Sequence, residues 1–354
     1  LLVVLLDRHE HSWPTAYKAA EIDIPAIVFA PVGTGFTKNT KLLAGKPGVL
    51  VCSTNDFNEV HNSMKAIRAS AKLREMRFVV IKGDRRYDTQ IDHFGTKLRY
   101  VPGSEFIDEY KGTPESAEIL QIASEYIEQA TSIDGPTKQD LVNGIKSYVV
   151  ARNIMEREGG DGITMACLRV LGPTKISLPC IAWSRMLDQG VPAICETNLE
   201  AIVTHTLVHN LFDRPGFQVD PVPETAKGCL IGAQCTCATR LNGFDHPAEP
   251  FRLSHHHGKR DAVPGPAWRI GQEVTVADML FQGKGKDEPV EMLISSGHVV
   301  ENVAVPDSGG CDTSSTGTVS TFVAVSRGSE RPSKVRISFR SPNPVSFCGS
   351  ASVD

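Results

Sequence analysis

Two acids, Glu196 and Asp220, stand where short apolar runs give way to polar chain. The run Val191-Pro192-Ala193-Ile194-Cys195 predicts a buried strand with Glu196 at its exit. From Asn198 to Leu211, apolar residues recur at Leu199, Ile202, Val203, Leu207 and Leu211, which is the period of a helix. Phe217-Gln218-Val219 predicts a further strand that Asp220 ends. In open α/β sheets ligands gather outside the carboxyl ends of strands, so both acids are expected in one crevice. Two carboxylates so placed suit a hard divalent cation, acid–base work, or both. Each also has a plainer reading. Glu196 could be a helix N-terminal acid favoured by the dipole, and Asp220 a turn former before Pro221.

The elements that must position these acids follow from patterning. In the first third, strands are expected at 1–6, 26–30, 48–53, 78–82 and 98–101. Helices are expected at 13–21, at Asn58 to Glu75 with Val60, Met64, Ile67 and Leu73 on one face, and at 104–110. That βαβ rhythm means a parallel sheet with helices on both faces. Pro114 to Ala130 is an amphipathic helix. Thr137-Lys138-Gln139-Asp140 opens another with a capping signal, and Gly159-Gly160 stops it. Strands at 163–171 and 191–195 then flank a helix at 183–188. After about Phe212 helical periods fade, and short alternating runs at 228–233, 272–276, 290–294, 318–325 and 334–339 predict antiparallel β structure, a barrel or sandwich. The expected fold is α/β: two Rossmann-like parallel domains, 1–112 and 113–212, then a mostly antiparallel β-barrel domain, 213–354.

Composition narrows the function classes. The chain has 354 residues, 41% hydrophobic and 22% charged, as soluble globular domains do. A formal net charge of −4 gives no electrostatic reason for a nucleic-acid or anionic-membrane partner. No apolar run reaches the roughly 20 residues of a membrane span. The nine cysteines lie mostly inside apolar runs, as small buried hydrophobes do, and predict a reducing cytoplasm. Cys235-Thr236-Cys237 lacks the second pair of a zinc motif. The loop Pro31-Val32-Gly33-Thr34-Gly35-Phe36 lacks the third glycine of a dinucleotide fingerprint and the lysine of a P-loop, which argues against a nucleotide enzyme. The chain starts without Met and ends without a polar tail, and a fragment or processed form is expected.

This order of parts resembles the L-fucose isomerase and L-arabinose isomerase superfamily. The resemblance is carried by GDGITMAC, LPCIAWSRMLDQGVPAICETNLEAIVTHTL and GFQVDPVPETAKGCLIGAQCT, and above all by Cys-Glu-x-x-x-Glu-Ala at Cys195–Ala201 followed by an acid at the next strand end. It is clear over 159–237, extends to about 325, and before 114 rests on layout. It implies two α/β domains and a C-terminal β domain, with a divalent metal, usually manganese, between domains. It also implies Glu196 and Asp220 as metal ligands and proton-transfer groups, and an open-chain sugar as substrate. The reaction would be aldose–ketose isomerisation through an enediol, with the metal polarising the carbonyl and a carboxylate moving the proton between C1 and C2. A homo-oligomer is implied too, and the cluster Asp7-Arg8-His9-Glu10-His11 could reach a neighbouring subunit's sugar site.

The sequence departs from the family at the histidine ligand. One branch carries it after a Gly-Ala pair; here Gly232-Ala233 is followed by Gln234, which is expected to contact substrate. The other carries it late in the β domain, and after His298 this chain has none. His298 is the expected third metal ligand, and His255, in Arg252-Leu253-Ser254-His255, the expected sugar contact; His256 and His257 read as a turn. His205 and His209, four apart on a helix, lack the glutamate of HExxH and read as helix surface. Glu224 is a weaker third carboxylate, and Asp56, Asp84 and Asp161 read as caps and turns. A catalytically lapsed carbohydrate-binding or regulatory protein of the same fold is the alternative.

Overall fold

Short runs of Val, Ile, Phe and Ala alternate with longer amphipathic stretches, and the chain folds accordingly. A computed structural model describes residues 1–5, 13–256, 260–285, 288–302, 320–323 and 333–337. The expected cluster at Asp7–His11, His257, and parts of the strands at 318–325 and 334–339 lie outside the described residues.

The amino-terminal unit holds β1 (Leu2–Val4), α1 (Trp13–Ala19), β2 (Ala26–Ala30), α2 (Thr37–Thr40), β3 (Val49–Ser53) and α3 (Asn58–Glu75). Its strands form a parallel three-stranded sheet in the order β1-β2-β3. Next come β4 (Arg77–Ile81), β5 (Tyr87–Ile91), β6 (Thr96–Val101), α4 (Gly103–Gly112), α5 (Ala117–Gln129), β7 (Ser132–Asp134) and α6 (Lys138–Arg157). They are followed by β8 (Gly162–Met165), α7 (Cys167–Leu171), α8 (Cys180–Asp188), β9 (Ala193–Cys195) and α9 (Leu199–Phe212). The central sheet runs β5-β6-β4-β8-β9, parallel except for the β5–β6 pair. It takes strands from both sides of position 112.

Burial on both faces explains the apolar strands. Val79, Ile81, Val101, Ile163, Met165 and Cys195 face a core shared with α4, α5, α6 and α8, where Trp183 is fully buried. Phe78, Val80, Leu98 and Ile194 face the other way, toward Leu73 of α3 and Ile202 and Val203 of α9. The capping signal at Thr137 is realised: Asp140 N–H donates to Thr137 Oγ1 at 3.2 Å, and Thr137 N–H donates to Asp140 Oδ2 at 2.8 Å.

The carboxyl-terminal part holds β10 (Asp220–Glu224), β11 (Cys229–Gln234), β12 (Phe251–His256), β13 (Arg260–Pro266), β14 (Glu273–Leu280), β15 (Val290–His298), β16 (Ser320–Val323) and β17 (Ser333–Ile337). They pair as β10-β11-β16, β13-β12-β7 and β14-β15-β17, antiparallel except for the parallel β12–β7 pair. Among the described strands these sheets do not close into a barrel. The pairing of β7, deep in the α/β half, with β12 stitches the two halves together.

Several local expectations shift. The strand expected over 163–171 ends at Met165, and Cys167–Leu171 is a turn and a half of helix. The reason is length: β8 pairs only four residues with β4 before Ala166 closes its bond to the Ile81 carbonyl. Asp220 opens β10 instead of ending a strand, because the Val219 side of the chain is unpaired and ladder pairing begins at Asp220 with Ala233. The hairpin of β5 with β6 has four exposed residues in five, so its sequence shows no apolar signal.

Candidate functional site

Glu196 leaves the carboxyl end of β9, the edge strand of the central sheet. It and Thr197 both occupy the left-handed region, at φ 67° and φ 56°. Neither is glycine and Thr197 is β-branched, so each holds about 1–3 kcal/mol of backbone strain. Strained pairs of this kind persist where neighbours over-determine them, and they concentrate at functional sites. Here the restraint is identifiable. Cys195 N–H donates to Gln218 Oε1 at 3.0 Å, and Cys195 Sγ lies 3.5 Å from Thr236 Oγ1. On the far side of the turn Asn198 caps α9, its side chain accepting from Ala201 N–H at 2.9 Å.

The first-turn acid of α9 is Glu200, whose Oε1 accepts from Phe281 N–H at 2.7 Å and Gln282 N–H at 2.8 Å. Glu196 itself is exposed at the strand exit.

Asp220 is partly buried and receives a hydrogen bond from Gln234 Nε2 at 3.2 Å. Gln234 is fully buried, and its Oε1 accepts from Cys235 N–H at 2.7 Å, which fixes the amide so that the NH₂ group points at Asp220. The strand pair β10–β11 supplies this geometry, with Asp220 opposite Ala233 in register. Gln218 and Thr236 thus connect β9 to the same two segments that carry Asp220 and Gln234. Cys195, the residue before Glu196, contacts Gln218, two residues before Asp220, and Thr236, two residues after Gln234. Gln218 and Thr236 escaped the sequence reading; nothing in their local pattern distinguishes them.

His255 Nδ1 lies 3.0 Å from the Asp261 carbonyl oxygen, beside an irregular step in the β12–β13 ladder. Its ring covers Gly135, where an added Cβ would approach Cδ2 to 2.4 Å and where φ is +96°. His298 ends β15 opposite Glu273 and is exposed. Glu224 ends β10 and accepts from Ala226 N–H at 2.9 Å, a turn contact. Among the described residues no three of His, Cys, Asp or Glu are arranged to hold a metal ion. The seven described cysteines are buried. A hydrogen bond with Cys167 pulls the other way, but the hydrogen bond with Cys235 and burial together raise the Cys195 thiol's pKa well above its ordinary value.

His205 corrects an expectation. It is not helix surface: the side chain is 6% exposed, packs on Gly216, and its Nδ1 has no hydrogen-bond partner among the described residues. Burial pushes its pKa down to about 4 from 6.5. Between these values the unfolded chain takes up a proton that the folded chain refuses, so stability present above pH 6.5 is lost as pH falls toward 4. The expected loss from this residue is about 2 kcal/mol between pH 7 and pH 5. Urea unfolding of wild type and His205→Leu at both pH values checks it; an equal acid loss in the two proteins would contradict it.

No protein-family model matches this chain, and no curated protein matches it significantly. Among the described residues no helix is long and apolar enough to cross a membrane.

Proposed function

We propose that this chain is a metal-dependent sugar isomerase-like enzyme that interconverts an aldose and a ketose as a homo-oligomer. Glu196 and Asp220 are its metal ligands and proton-transfer groups, and Gln234 contacts the substrate. The observation that carries the reading is the strained Glu196-Thr197 turn at the carboxyl end of β9, tied through Gln218 to the Asp220–Gln234 pair. Two carboxylates are hard donors of the kind that Mn²⁺ or a similar divalent cation takes, with substrate oxygens and water completing the shell. When bound, such a cation would polarise the sugar carbonyl.

The remaining chemistry belongs to the side chains. Glu196, exposed at the strand exit, takes the C2 proton of the open-chain aldose. The electron pair moves to form the C1–C2 double bond while the carbonyl pair goes to O1. A proton passes from the O2 hydroxyl to O1, the C2 carbonyl forms, and the same carboxyl returns its proton to C1. The strained turn holds that carboxylate at a fixed height above the sheet, so little reorganisation accompanies the transfer. Gln234 holds Asp220 in one orientation through its fixed amide. The reading rests on Glu196, Asp220 and Gln234 and does not need His255 or His298.

Incubating the protein with Mn²⁺ and a panel of aldoses in D₂O tests it. Deuterium at C2 of recovered aldose or C1 of the ketose, dependent on Mn²⁺ and on one sugar configuration, is the expected result. Sugar binding without exchange for any aldose would favour the alternative, a catalytically lapsed carbohydrate-binding or regulatory protein. That alternative draws on the lack of a third His, Cys, Asp or Glu beside the two acids among the described residues.

A further inference from the structure

At the opposite end of the central sheet, where β4, β8 and β9 begin, a cavity of about 310 Å³ opens between the last turns of α3 and α9. It lies outside the neighbourhood of Glu196 and Asp220, and its lining carries both signs of charge. Lys72 and Glu75 come from α3, His209 and Asn210 from α9, and Asp161 from the turn before β8, above a floor that includes Met76 and Pro192.

Two cationic or donor groups here are unengaged. Lys72 is half-buried yet makes no ion pair or hydrogen bond with any described residue, although Glu75 stands three positions along the same helix. His209 likewise has no hydrogen-bond partner among the described residues, and its ring is fixed from two sides. Phe244 lies against it at a centroid distance of 4.6 Å with the rings tilted by 47°, and Gly190 admits its edge because a Cβ there would lie 2.6 Å from Cε1. Burial and the Lys72 charge hold the imidazole below its ordinary pKa, so it is neutral at pH 7 and has one N–H to donate.

Beside Lys72 on α3, Glu75 makes no ion pair or hydrogen bond with a described residue, while Asp161 Oδ2 accepts from Arg77 N–H at 2.9 Å. The lining therefore offers an ammonium and an imidazole N–H to an anion, and two carboxylates to a cation, within one small volume. A simple anion would meet Glu75 and Asp161, and a simple cation would meet Lys72.

We propose that this cavity binds a small zwitterion, a molecule with one carboxylate and one ammonium group such as a free α-amino acid. The ligand carboxylate sits on Lys72 and His209, and its ammonium faces Glu75 and Asp161. The site is distinct from the reading of Glu196 and Asp220 and stands without it.

The test is a titration of the full chain at pH 7.5 with glycine, L-alanine and L-glutamine. Acetate and ethylammonium serve as single-charge controls. The readouts are the His209 ring Cε1–H signal by NMR and isothermal calorimetry. At least one amino acid is expected to bind at one site per chain, to move the His209 signal, and to outbind both controls at least tenfold. Lys72→Met and Glu75→Gln, on partly exposed side chains that fold without their charge, should each weaken that binding at least tenfold. The proposal is overturned if no amino acid binds, if acetate or ethylammonium binds as tightly, or if binding survives both substitutions. Mn²⁺ titrations of the same variants should match wild type, which keeps this result separate from the fate of the isomerase reading.

Discussion

Replacing Glu196 with Gln is expected to lower Mn²⁺-dependent proton exchange in the sugar by about 10³-fold, while the urea midpoint of the metal-free protein stays within about 0.5 kcal/mol of wild type. The amide keeps the shape of the side chain and removes only its charge and basicity. Glu196 is exposed, and the side-chain cap of α9 is Asn198. A structural carboxylate would behave the other way, with stability falling and exchange unchanged. Measuring deuterium incorporation and urea unfolding on the same preparations separates the two. If exchange persists at the wild-type rate, Glu196 is not the proton-transfer group.

The second large effect concerns stability. Glu158, which follows α6, is 5% exposed and is clasped by Arg86 and by Arg99 Nε at 2.8 Å, with Arg157 Nε at 3.8 Å. Burial alone would raise its pKa, but hydrogen bonds from Arg99 and Arg86 hold it below the ordinary carboxylate value. Its backbone carbonyl also accepts from Arg77 Nη1 at 3.3 Å. The cluster thereby ties the end of α6 to β4, β6 and the loop before β5. Glu158→Ala leaves two guanidinium groups facing a vacated pocket, which costs about 3 kcal/mol. Arg86 and Arg99 retain Glu105 and Asp88, and Arg86 is partly solvent-screened, so the loss stays at the lower end of what buried pairs show. Urea unfolding reads the change directly. A loss below about 1 kcal/mol would mean that the pairs are too solvated to matter.

What could be read from the chain beforehand follows from how local each signal is. The apolar runs at Ala26–Ala30 and Arg77–Ile81, the amphipathic stretches that became α3, α5 and α6, and the capping box at Thr137 are local features, and they sit where patterning put them. The hairpin of β5 and the pairing of β7 with β12 were invisible because exposed or three-residue strands carry no period to detect. The turn at Glu196 was placed correctly at a strand exit. Its left-handed geometry was not legible, since Glu and Thr give no hint of positive φ, as glycine would. The buried state of His205 was missed for a similar reason. A histidine at helical spacing looks alike on either face, and the Gly216 loop that covers it comes from the segment after the helix.

The most direct test of the central claim is a Mn²⁺ titration of metal-stripped protein, comparing wild type with Asp220→Asn. Removing a ligand charge should cost more than the roughly 10–100-fold typical of a group behind the ligands. Wild type is expected to show one saturable Mn²⁺ site, weakened by more than about 100-fold in the variant. Equal Mn²⁺ affinity in the two proteins, or no binding in either, would contradict it.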